Sequence, residues 1–91
     1  MIVTVKEMKN YLRVDHEEDD RLLADLIEQG QQLCMDVARI ADEDVFEETT
    51  GAGIAVMYAV AYLYEHREDA DHRALTVGLR ALLFGIREPG F

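Results

Sequence analysis

Four stretches of the chain carry apolar residues at helical spacing, and with one Pro and six Gly leaving few breaks, helices are the natural reading. The first is short. Val5, Met8 and Leu12 share one helical face, and Thr4 with Glu7 fits a capping box in which each residue satisfies a backbone N–H of the other. Val3 and Met8 stand at the two positions of a hydrophobic staple, and the helix is expected to stop near Arg13.

The second stretch is the longest. Leu22, Leu23, Leu26, Ile27, Gly30, Leu33, Cys34, Val37 and Ile40 recur at the helical period, while Asp25, Glu28, Gln29, Gln31, Gln32, Asp36 and Arg39 fill the opposite side. Asp15 is read as its N-cap, with Glu17, Glu18, Asp19 and Asp20 in a first turn where the macrodipole offsets part of their repulsion. Met35 falls on the polar side, where an apolar side chain has no purpose within one chain. Asp42 to Glu48 reads as an acidic connection held down by Val45 and Phe46.

Thr49, Thr50 and Gly51 open a third helix running to about Arg67, and its middle, Ile54 to Tyr64, is apolar on every side. One bundle partner in so small a chain cannot cover all of that surface. Ala52, Ala55 and Ala59 make a flank that another backbone could approach. Residues 68–74 read as a polar loop, after which Thr76 caps a last helix carrying Leu79, Leu82, Leu83 and Ile86 and ended by Pro89-Gly90. The predicted fold is all-α: a small helical bundle spanning residues 1–91 as a single domain, in which helices two and three form a long antiparallel hairpin with two short helices packed on it.

Composition narrows the function. Ninety-one residues bury only about 60–65% of the surface the unfolded chain exposes, so a partner that covers more would add stability. The net charge is −10, and residues 1–45 carry most of it, which argues against tight nucleic-acid binding. A single Cys34 excludes an intrachain disulfide framework and suits a reducing compartment. The longest apolar run is eleven residues, short of the ~20 a membrane helix needs, and the first residues lack the features of a signal peptide. A cytoplasmic protein with no membrane partner is therefore expected.

Candidate chemistry is sparse. Asp15 to Asp20 lacks the Gly and the final Glu of a calcium loop, and Gly51-Ala-Gly53 lacks the strand and the Lys-Ser/Thr pair of a phosphate loop. Glu65, His66, Asp69 and His72 would need inward-facing carboxylates on other helices to hold a metal, and those apolar faces offer none. Serine is absent, and Cys34 lies on an apolar face where burial would leave it inert. Tyr58, Tyr62 and Tyr64 lack the basic groove of a base-stacking platform, because residues 40–66 contain no Lys or Arg. No enzyme, no cofactor and no metal site is expected.

Four segments together resemble a known family. Thr4-Val-Lys-Glu-Met-Lys-Asn-Tyr-Leu-Arg-Val-Asp15, Glu18-Asp-Asp-Arg-Leu-Leu-Ala-Asp-Leu-Ile27, Ala61-Tyr-Leu-Tyr-Glu-His-Arg-Glu68 and Gly78-Leu-Arg-Ala-Leu-Leu83, with Arg87, are similar to the small head-to-tail connector (DNA-packaging) proteins of long-tailed bacteriophages and prophages. The resemblance implies a structural protein that forms a ring, often a dodecamer, beneath the portal, extends the DNA channel and completes the head for tail joining. Its implied partners are further copies of itself, the portal protein and the next connector or tail-completion protein. Its implied locations are the host cytoplasm during assembly and the head-to-tail junction of the virion. An apolar third helix and an acidic channel that DNA does not stick to are compatible with this. The expected subunit interface comprises Met35, Ala55, Ala59 and Tyr62, with Tyr64 and with Arg67 placed to bind a carboxylate of its own or a neighbouring chain. The rival reading is a small acidic helical adaptor or regulator that binds a basic host partner.

Overall fold

The computed structural model describes residues 2–68 and 71–84. Five helices run in the order α1 (Val5–Leu12), α2 (Asp20–Ala38), α3 (Glu43–Glu48), α4 (Ala52–Glu65) and α5 (His72–Phe84), and no strand occurs among the described residues. The capping box at α1 is present in both directions, with Glu7 N–H donating to Thr4 Oγ1 at 3.1 Å and Thr4 N–H to Glu7 Oε1 at 3.0 Å. Both staple residues are buried, Val3 at 3% exposure and Met8 at 0%. Arg13 ends the helix in the left-handed region, and Val14 N–H returns to the Lys9 carbonyl at 2.9 Å.

The second helix begins later than the acidic run suggests. Its N-cap is Asp19, not Asp15, and Glu17 and Glu18 precede the helix. Competing uses for the carboxylates explain the difference. Asp19 accepts a hydrogen bond from the Tyr64 hydroxyl at 2.6 Å, and Asp20 pairs with the Lys9 ammonium at 2.8 Å. Each side chain therefore fastens a different helix to the start of α2, and Asp19 holds the N-cap position without a side-chain capping bond. The helix closes at Arg39, again left-handed, so Ile40 lies beyond it.

The acidic connection is itself helical. Asp42 caps α3, its carboxylate accepting from the N–H groups of Asp44 at 2.8 Å and Val45 at 3.4 Å. Phe46 anchors it with no exposed surface, but Val45, expected to share that role, points outward and is 51% exposed. The last helix likewise starts before the expected Thr76 cap. Asp71 takes the Ala74 N–H on its carboxylate at 3.0 Å, which lets His72 begin the helix and brings Leu75 into the core. Ile86, Arg87, Pro89 and Gly90 lie outside the described residues.

The core is built along the seam between α2 and α4. A Cβ added at Gly30 would stand 3.0 Å from Val60 Cγ2 and 3.5 Å from Ala59 Cβ, so the missing side chain sets how closely the two helices approach. With Asp19 at one end reaching Tyr64 near the other helix's end, the start of α2 meets the finish of α4. Because α3 interrupts the connection, the pair is not joined by a plain loop. Leu75, Leu79 and Leu83 of α5 and Met8 of α1 complete one continuous apolar cluster.

Candidate subunit interface

Exposure, not concave chemistry, marks the surface of interest. The outward side of α4 carries Ile54 at 68% exposure and Tyr58 at 39%, one helical turn apart. Tyr58 leans across α5, where a Cβ at Gly78 would meet its hydroxyl oxygen at 2.6 Å. Leu82 (39%) and Val77 (58%) on α5 add further exposed apolar area. Scattered exposed apolar residues are ordinary, but Ile54 and Tyr58 extend a helix that is apolar almost throughout.

The six residues expected at an interface divide sharply. Ala55 and Ala59 are not on the surface: they are 1% and 0% exposed, because the flank of small residues is used for the approach of the chain's own α2. Met35 is also not on an open polar side, being only 6% exposed. The 41–46 segment folds back along that flank of α2, and Gln31, expected in solvent, is buried there at 4% exposure. Gln31 Oε1 accepts the Ile2 N–H at 3.0 Å, and its Nε2 donates to Glu43 Oε1 at 2.7 Å. One amide thus ties the N-terminal segment and α3 to α2, and leaving it unpaired would be costly. Nothing in the spacing of a single Gln distinguishes this from a solvated one.

Tyr62, Tyr64 and Arg67 gather at the end of α4, partly exposed, and their visible bonds lie within the chain. Tyr62 O–H donates to the Asp71 carbonyl and its oxygen accepts the Asp71 N–H, both at 3.2 Å, fixing the turn into α5. Its ring stacks on His66 with centroids 4.2 Å apart. Arg67 does not pair with a carboxylate among the described residues. Its guanidinium donates to the Tyr64 carbonyl at 2.6 Å and lies 4.6 Å over the Tyr64 ring, an arrangement suited to the carbonyl-rich end of a helix. The hydrogen bond to Asp19, then burial and the Asp19 charge, push the Tyr64 hydroxyl above its ordinary pKa, against a smaller lowering by Arg67. These three residues brace helix ends, and that purpose precedes any contact with another chain.

Reactive groups are few. Burial pushes the Cys34 thiol up to about 12, far from the thiolate a nucleophile needs. Among the described residues no three His, Cys, Asp or Glu side chains converge on a point that could hold a metal, and no helix is long and apolar enough to cross a membrane.

The described residues form an acidic helical bundle whose α4 leaves Ile54 and Tyr58 exposed. The family model of the phage gp6-like head-tail connector proteins matches residues 2–81, from the segment before α1 into α5, and the chain belongs to that family. Comparison with curated proteins and with solved structures gives no match.

Proposed function

We propose that this chain builds a ring beneath the portal of a phage or prophage head, extending the DNA channel and offering a platform to the next connector or tail-completion protein. The match of the head-tail connector family over residues 2–81 carries the reading. The exposed Ile54 and Tyr58 on α4 support it physically, since a repeated head-to-tail contact between identical chains buries such a face without leaving a second one open. The charge fits the same place. At −10 per subunit, a ring repels the DNA that passes through it instead of gripping it.

The test is to mix the purified chain with the portal protein of its own phage and follow the mixture by sedimentation and electron microscopy. Saturable binding, with a ring of density added below the portal, is expected. Tight, salt-steep binding to duplex DNA, or indifference to the portal together with capture of one basic host protein, would replace the connector reading with that of an acidic adaptor.

A further inference from the structure

We propose that the groove between α2 and α5 receives the α3 helix of a second copy of this chain. The groove, about 500 Å³, has Leu33, Val37 and Leu83 as its apolar lining, with Arg39 and Arg80 beside them and Thr76 and Asp36 completing it. Asp36 already accepts a hydrogen bond from Gln32 Nε2 at 2.9 Å. Among the described residues neither arginine forms an ion pair, so two positive charges line this groove in a chain where acidic residues outnumber basic ones nineteen to nine. Its occupant should therefore be apolar at the centre and acidic at the edges.

The exposed side of α3 has that composition. Val45 is 51% exposed, and Asp44 and Glu48, one turn apart, stand exposed beside it, while Phe46 holds the opposite side of the helix in the core. The two surfaces cannot meet within one molecule. Gln31 and Met35 mark the flank of α2 that α3 covers, and Leu33 and Val37 lie two residues on, about 200° further round the helix. Complementary surfaces on opposite flanks give a heterologous contact, which closes into a ring when the rotation per subunit permits. The inference rests on the ring reading of the previous section, and it names the contact that would join neighbours.

Charge reversal on each side, separately and together, tests it. R39E/R80E and D44R/E48R should each stay monomeric under conditions where the wild-type chain associates, with affinity lower by about a hundredfold. An equimolar mixture of the two variants should recover assembly, as should one chain carrying all four changes. Circular dichroism of each variant checks folding. Independently, a V37C/V45C chain should give an interchain disulfide ladder on oxidation, the buried Cys34 remaining unreacted. If the wild type forms rings but both reversals do so equally well and no ladder appears, the groove assignment is wrong and the ring stands. If the wild type neither associates nor ladders at any concentration, with or without portal protein, both readings fall.

Discussion

Helices α2 and α4 share the same seam and differ on their far sides. The outer side of α2 exposes Asp25, Glu28, Gln29, Gln32 and Asp36, all polar. The outer side of α4 exposes Ile54 and Tyr58 and leaves Met57 and Ala61 only half-buried. Folding energetics explain the shared seam but give no reason for the apolar excess on α4, because a polar side chain at Ile54 would cost this fold almost nothing. On the ring reading proposed above, the excess belongs to assembly. A helix that is apolar all round in a small protein thus marks where the chain ends as a folding unit and begins as a subunit.

The comparison breaks most severely at the seam itself. Gly30→Leu would drive a side chain into Val60, whose Cγ2 already stands 3.0 Å from where a Cβ would sit, and into Ala59. Overpacking of this kind costs about 3 kcal/mol, so the denaturant midpoint should fall sharply with little change in the slope of unfolding. An unchanged midpoint would mean that the two helices separate freely, contrary to a tight seam.

A smaller effect is expected where the helix ends are tied. Tyr64→Phe removes the hydroxyl that bridges to Asp19 at 2.6 Å and should cost about 1 kcal/mol. The pH dependence has a definite sign. Because the Tyr64 pKa is raised in the folded state, its contribution is fully present below the ordinary tyrosine value of about 10 and is lost as pH rises through the raised one. Unfolding curves between neutral and strongly alkaline pH should therefore show the gap between wild type and Tyr64→Phe closing at the alkaline end. A gap that stays constant with pH would mean that the loss does not come from the protonated hydroxyl's bond to Asp19.

The main helices were legible because they repeat for several turns, and the capping box before α1 because two residues at a fixed spacing suffice to make it. Three kinds of feature were not. The six-residue helix α3 offers too few residues for a period, so Val45 and Phe46 look alike until the fold turns one out and one in. Asp19 and Asp20, read as first-turn residues behind an Asp15 cap, bond to partners on other helices, Tyr64 and Lys9, and a local pattern holds no trace of those partners. Small residues are ambiguous for the same reason. Ala55 and Ala59 announce a close helix contact, but whether with the chain's own α2 or a neighbour is decided only by where Gly30 falls. Met35 and Gln31 repeat the lesson, since a polar-looking flank becomes interior when the following segment folds back over it.

The finest test changes assembly while leaving the fold alone. Ile54 is 68% exposed, so its replacement forfeits little buried area, and it sits in the first turn of α4, where a negative charge interacts favourably with the helix dipole. Ile54→Asp should accordingly leave the thermal midpoint of the monomer within about 0.5 kcal/mol of wild type, or raise it slightly. On the assembly side the same aspartate would have to be desolvated without a partner in any contact that covers α4, so ring formation on the portal should weaken strongly. The two measurements together separate the roles of the two helices. Loss of stability without loss of assembly would place Ile54 in the folding core and remove α4's outer face from the interface. Loss of assembly with stability intact would locate the subunit contact on the side of α4 that its own chain leaves bare.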